Sequence, residues 1–261
     1  MQLDFFQVDA FTEAPFSGNP AMVYCLSHWL ADALMQRIAN EHNLAETAFV
    51  VPEGQGWRIR WFTPLTEVPL CGHATLAAAH VLRVIHQVDA AVMLFHSHSG
   101  ELRVSEEQGR LWLDLPAEHL IEEGVSLGVQ RAVGGDVVDV LGGKHLLVVL
   151  PSEQHVRDCQ PDFAAIAQLP WPGVIITARG EQHDFVSRFF APQLGIAEDS
   201  VTGAAHCALV PYWSQRLNKT RLRARQCSVR GGELWCRFEG DRVVLGGDAT
   251  LVAKGQLLTQ G

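Results

Sequence analysis

A chain of 261 residues, 48% of them hydrophobic and 19% charged, has the composition of a compact folded protein, which excludes disorder and low complexity. Its 29 acidic against 20 basic side chains leave a formal charge of -9 with no basic cluster interleaved with aromatics, which excludes a surface built to track nucleic-acid phosphates. The start, Met1-Gln2-Leu3-Asp4-Phe5-Phe6, lacks a basic lead and an apolar core, and no run approaches the roughly 18 apolar residues of a membrane span, so a cytoplasmic protein with neither a nucleic-acid nor a membrane partner is expected.

Alternation of apolar and polar residues predicts strands from Leu3 to Ala10, Ala21 to Leu26, Thr47 to Pro52 and Trp57 to Thr63. An amphipathic helix is expected between the second and third, from Leu30 to His42. After Gly72 the run Ala74-Thr75-Leu76-Ala77-Ala78-Ala79-His80-Val81-Leu82 is apolar nearly all round, the mark of a buried helix. Strands follow from Ala91 to His96, Glu101 to Glu106 and Arg110 to Leu115, split by Ser-Gly and Gln-Gly turns. The second half repeats the order. Strands are predicted from Val137 to Leu141 and His145 to Leu150, a short helix from Asp162 to Gln168, strands from Val174 to Ala178 and Asp184 to Ala191, and a buried helix from Ala204 to Leu217. Terminal strands are expected at Leu222 to Val229, Glu233 to Glu239, Arg242 to Leu245 and Thr250 to Ala253.

The repetition is visible in the residues themselves. Arg58-Ile59-Arg60-Trp61-Phe62-Thr63-Pro64, then Cys71-Gly72-His73-Ala74, is matched by Phe185-Val186-Ser187-Arg188-Phe189-Phe190-Ala191-Pro192, then Thr202-Gly203-Ala204-Ala205. Each copy is a strand, a loop with an acid (Glu67; Glu198 and Asp199) and a glycine that opens an apolar helix. The expected fold is therefore α+β, with two pseudo-symmetric lobes, each a bent, mostly antiparallel sheet around a buried helix. The lobes are expected at 1–118 and 119–261, divided near Pro116 to Gly124, with the last strand able to pack on the first lobe. Two helix N-termini aimed at one cleft would favour an anionic ligand, most simply a carboxylate.

Glu46 is the acid that stands out. In Leu44-Ala45-Glu46-Thr47-Ala48-Phe49-Val50 it shares a strand face with apolar residues, and loss of hydration there disfavours the charged form of a carboxyl, as a general acid/base requires. His73 follows the helix-opening Gly72, where the helix dipole favours a neutral ring. Asp199 precedes the second helix and is placed to cap it through the amides of Val201 or Thr202. Cys71, at a helix start, has the setting of an alternative base but reads as structural, since the second half offers no matching thiol before Gly203 and Cys207 falls inside the helix. Arg60 and Arg188 lie on the repeated strands and are expected to face solvent more often than a site. Six cysteines without CxxC pairs or zinc-like His/Cys spacing suit reduced, buried thiols and disfavour structural zinc. His96-Ser97-His98 reads as a solvated hairpin rather than a metal site.

Taken in order, Asp9-Ala10-Phe11-Thr12, Phe16-Ser17-Gly18-Asn19-Pro20-Ala21, Glu41 through Phe49, Phe62-Thr63-Pro64 through Leu70-Cys71-Gly72-His73-Ala74-Thr75, and Asp184 through Pro192 with Glu198 through Gly203 resemble the phenazine-biosynthesis PhzF-like family, related in fold to diaminopimelate epimerase and proline racemase. The resemblance covers nearly the whole chain. It implies an isomerase, commonly a homodimer, whose site between two lobes uses neither cofactor nor metal. It assigns proton transfer to Glu46 and substrate placement to His73 and Asp199, with Asn19, Gly72, Ala74, Thr202, Gly203 and Ala204 around a small carboxylate substrate. In the phenazine enzyme that substrate is a dihydro-hydroxyanthranilate. Ala204 stands where the family often has serine and Ser200 where it often has proline, so the phenazine substrate itself is not carried over. A cysteine-based amino-acid racemase or epimerase, and a non-catalytic metabolite-binding member of the fold, are the alternatives.

Overall fold

The computed structural model describes residues 2–259. In chain order the elements are β1 (Gln2–Ala10), β2 (Asn19–Cys25), α1 (Asp32–His42), β3 (Glu46–Glu53), β4 (Gly56–Phe62), β5 (Glu67–Val68), α2 (Gly72–Val84), β6 (Val92–Ser97), β7 (Gly100–Glu107) and β8 (Arg110–Pro116). They continue with β9 (Ile121–Glu123), α3 (Leu127–Val133), β10 (Asp139–Gly142), β11 (Leu146–Val149), α4 (Glu153–Asp158), α5 (Phe163–Ile166), β12 (Val174–Arg179) and β13 (Phe185–Ala191). The last are β14 (Ile196–Asp199), α6 (Gly203–Leu217), β15 (Arg221–Gln226), β16 (Gly232–Phe238), β17 (Arg242–Gly247) and β18 (Ala249–Leu258). Two compact units result, one running to Asp114 and taking up the chain again from Gly246, the other Leu115–Leu245.

In the first unit β18 is antiparallel to β1 and β1 to β2, β2 is parallel to β3, and β3 is antiparallel to β4. β4 is antiparallel to β5 and parallel to β6, and β6 is antiparallel to β7. In the second unit β9 is antiparallel to β10 and β10 to β11, β11 is parallel to β12, and β12 is antiparallel to β13. β13 is antiparallel to β14 and parallel to β15, and β15 is antiparallel to β16. The two series agree pair by pair. The sequence repeat is thus a repeat of topology, and each unit is a mostly antiparallel sheet with an inner helix, the α+β architecture expected.

The inner helices are buried because their residues are mostly apolar, with His73 and Thr75 the buried polar side chains of α2 and His206 and Ser214 those of α6. Ala74, Leu76, Ala77, Ala78, Ala79, Val81 and Leu82 of α2 are all buried, and α2 packs on β1, β2, β3 and β18. A helix apolar on every side finds water-free contact only where sheet surrounds it. On its other side the first sheet is covered by α1, whose Met35, Ile38 and Ala39 pack against Leu3, Met22, Tyr24, Phe49 and Phe62.

Differences from the sequence reading lie in short or polar elements. β5, β9, α3, α4 and β14 were not anticipated, since two to seven residues carry too little periodicity to register. The helix expected from Asp162 to Gln168 shrinks to α5, capped by Asp162 Oδ1 accepting from the Ala165 amide at 2.9 Å. The last strand, expected to end at Ala253, continues to Leu258, because β1 supplies a pairing partner along its whole length.

Candidate active site

The first cluster is assembled from three strand or helix ends of the first unit. Asn19 opens β2 behind a turn in which Gly18 has φ +65°, and a Cβ there would lie 2.2 Å from the Ala10 carbonyl oxygen, so only glycine fits. The turn is braced by the Phe16 amide donating to Asp9 Oδ2 at 2.8 Å and by the Thr12 and Ser17 hydroxyls 2.6 Å apart. Glu46 is the first residue of β3 and sits beside Ala21 of β2 in parallel register. His73 is the second residue of α2, whose N-cap, Cys71, makes no side-chain cap hydrogen bond and whose first turn holds no acid.

These residues meet around the imidazole. His73 Nε2 lies 3.2 Å from Glu46 Oε2, in ion-pair reach, with the histidine side chain 4% and the glutamate side chain 13% exposed. On the other nitrogen, Asn19 Nδ2 is 3.1 Å and Cys71 Sγ 3.5 Å from Nδ1. With the Asn19 amide assigned as donor, Nδ1 accepts and the ring hydrogen sits on Nε2, within 3.2 Å of the carboxylate oxygen but not aligned with it in a hydrogen bond. Burial pushes the His73 pKa down to about 3, against a smaller upward pull from the Pro20 backbone. The ring is neutral at pH 7, as its position at a helix start predicts. Asn19 is itself fully buried, and its side chain is engaged with His73.

Glu46, Cys71 and His73 offer ligand atoms within 4.8 Å of one another, a juxtaposition that tertiary structure creates without any ligand spacing in the sequence. They do not make a good cage for an ion. The carboxylate and the thiol approach opposite ring nitrogens, whereas a metal needs oxygen, sulfur and one nitrogen lone pair converging on one point. What the cluster does offer is a carboxyl held in contact with a neutral hydrogen-bonding ring, an arrangement suited to giving and taking a proton.

In the second unit Asp199 ends β14 and accepts a 2.6 Å hydrogen bond on Oδ2 from the Thr202 hydroxyl. The expected capping role is changed in one respect: the Thr202 amide donates to Gln226 Oε1 at 2.8 Å, not to Asp199. Thr202 is the N-cap of α6 and makes no side-chain cap of its own helix. Gly203 begins that helix, buried, and Ala204 is half-buried beside it. His206, fully buried, donates from Nδ1 to the Thr202 carbonyl at 2.8 Å. Gln226, at the end of β15, was missed by the sequence reading. A signal existed: Leu222, Ala224 and Gln226 share the buried face of that strand, the same misplacement of a polar group that marked Glu46.

Arg60 and Arg188 do not simply face solvent. Arg60 Nε and Nη2 donate to the two carboxylate oxygens of Glu67, both at 2.7 Å, and Arg188 does the same to Glu198 at 2.7 and 2.9 Å. Each guanidinium also stacks over the phenylalanine two residues on, Phe62 or Phe190. These matched pairs fix the correspondence between the units. Phe62 pairs with Thr47 and Phe190 with Val174, so Glu46 corresponds to Gly173. Counting from Glu67 and Glu198 to the helix glycines, Asp199 corresponds to Val68, His73 to Ala204 and Cys71 to Thr202. A Cβ on Gly173 would stand 2.7 Å from Phe189 Cζ and 3.0 Å from His145 Nδ1, so the second unit has no room for an acid where the first carries Glu46. The duplicated scaffold bears different chemistry in its two copies.

Residues 8–255 match the family described as phenazine biosynthesis-like protein. The chain belongs to that family. It is 63% identical to an uncharacterized isomerase of Pseudomonas aeruginosa over 98% of its own length and 99% of the relative's. The crystal structure of a PhzF-family phenazine biosynthesis protein from Enterococcus faecalis superposes with a TM-score of 0.97 at 46% identity, over 99% of this chain and 100% of that one. At 9% identity, a probable proline racemase from Agrobacterium radiobacter shares the fold alone, with a TM-score of 0.69 over 99% of this chain and 93% of that one. Relatives at 63% and 49% identity are named isomerases, and this chain is an enzyme of that class on the PhzF-like fold.

Proposed function

We propose that this protein is a cofactor-independent isomerase that moves a proton between positions of a small carboxylate-bearing metabolite. Glu46 takes the proton from carbon and returns it at another position, His73 holds the carboxyl through Nε2, and Asp199 orients the substrate. The substrate carboxylate is bound by the amides at the helix starts, Gly72 to Ala74 and Gly203 to Ala204, which the proposal requires to serve one ligand. The observation that carries this reading is the 3.2 Å approach of Glu46 to Nε2 of an imidazole that burial keeps neutral. A neutral ring can donate to the carboxylate without neutralising it, leaving proton transfer to the acid. Cytoplasmic location and a homodimer are part of the same proposal.

The test is exchange in D2O, followed by NMR, of carbon-bound protons in a panel of dihydro-hydroxyanthranilate, L-proline and trans-4-hydroxy-L-proline. Glu46→Gln is expected to lower the exchange of the accepted compound by about 100-fold or more, the usual worth of a general acid/base. Undiminished exchange would show that Glu46 is not the shuttle. One observation favours a second reading, with Cys71 as the base: its thiol lies 3.5 Å from His73 Nδ1. The corresponding residue of the second unit is Thr202, and burial pushes the Cys207 thiol up to about 12, so a partner thiol for a two-base racemase is not in place. Inactivation by iodoacetamide that Cys71→Ser abolishes would favour that reading over the first.

A further inference from the structure

Gln226 lies on no motif and is far in sequence from Asp199, yet it controls the start of α6. Its Oε1 accepts from the Thr202 amide at 2.8 Å, and its Nε2 donates to the Asp199 carbonyl at 2.8 Å and to Thr202 Oγ1 at 3.1 Å. Both amide hydrogens and the carbonyl are therefore used, which fixes the orientation of the amide. The consequence passes to the hydroxyl. Thr202 Oγ1 already receives a hydrogen from Gln226, so its own hydrogen is the one shared with Asp199 Oδ2 at 2.6 Å. Gln226 is fully buried and Thr202 8% exposed, so the directionality is not averaged by water.

We infer that Gln226 and Thr202 are positioning residues that hold the Asp199 carboxylate as a hydrogen-bond acceptor of fixed orientation. The inference deepens the proposed function and rests on it for Asp199's part in catalysis, but not for the hydrogen-bond chain. An aliphatic side chain at 226 would take away the partners that Gln226 gives the Thr202 amide and the Asp199 carbonyl, at the cost of leaving buried polar groups unsatisfied. Glu198 is held by Arg188 on β13, and His206, bonded to the Thr202 carbonyl, is kept neutral by burial. The feature also answers the asymmetry of the repeat. In the first unit the buried amide of Asn19 orients His73, and in the second the buried amide of Gln226 orients, through Thr202, the residue that corresponds to Val68.

The test is the pH titration of the Asp199 carboxyl carbon by NMR in the full-length protein, with deuterium exchange of the accepted substrate measured alongside. In Thr202→Val the titration midpoint is expected to rise by about one pH unit, as a donor to the ionised form is lost, and in Thr202→Ser to stay at the wild-type value. Gln226→Glu, which keeps the shape but draws the Thr202 hydroxyl to the introduced carboxylate, is expected to shift it in the same direction as Thr202→Val. An unchanged midpoint in folded Thr202→Val or Gln226→Glu overturns the inference. A shifted midpoint with wild-type exchange upholds the hydrogen-bond chain and instead overturns the catalytic part given to Asp199.

Discussion

His73 and His206 show how burial decides the state of a side chain. Removal from water pushes the first pKa down to about 3 and the second to about 4, each against a smaller upward pull from a nearby backbone group. In the unfolded chain both titrate near about 6.5. Between that value and the folded one the unfolded chain binds a proton that the folded chain refuses, so stability is full above about pH 6.5 and falls as the solution is acidified. The slope is about 1.4 kcal/mol per pH unit for each ring. Urea unfolding at pH 7 and pH 5 should therefore show a loss of about 2 kcal/mol from His206 alone. His206→Asn, which retains a donor for the Thr202 carbonyl but cannot titrate, should remove that share of the slope. If the variant keeps the whole slope, the folded ring is already accepting the proton.

At the scale of elements, the matched arginine–carboxylate pairs anchor each repeated strand to the short strand after it, Arg60 on β4 to Glu67 on β5 and Arg188 on β13 to Glu198 on β14. They set the distance to the helix start, and with it the position of His73 or Asp199. The strand before shows the opposite, a point where the copies cannot be exchanged. Gly173 precedes β12 against the ring of Phe189, itself edge-on to His145 at 4.9 Å. Gly173→Ala should cost about 1–3 kcal/mol in thermal or chemical unfolding through overpacking, while the chemical shifts of His73 in the other unit stay in place. An alanine variant as stable as the wild type would mean that the Phe189 ring yields at no cost and that Gly173 does not bar an acid. The periodicity that located β12 was readable in the sequence. The exclusion of an acid from its start was not, because it depends on a ring sixteen positions away.

Over the whole molecule, the chain returns to where it began. β18 pairs with β1 from Ala249 opposite Ala10 to Leu258 opposite Gln2, and α2 packs on it. The first unit is therefore complete only after the second has been laid down in sequence. A chain ended at Asp248 should lose the dispersed amide NMR spectrum of the first unit, whose β1 would have one edge unpaired; unfolding at the wild-type midpoint would show that β18 is dispensable. The sequence by itself determined a duplicated α+β fold, two buried helices opened by glycine, the acid Glu46 and the histidine His73 that follows Gly72. These follow from periods of 2.0 and 3.6 residues and from conformational preferences that act over one turn or one strand. Only the tertiary structure decided that His73 meets Glu46 through one nitrogen and Asn19 through the other, that Gln226 governs Asp199, and that Arg60 and Arg188 hold acids rather than face water. Those outcomes depend on which distant strand becomes a neighbour, and a side chain's partners and hydration are set by that neighbour rather than by its own segment.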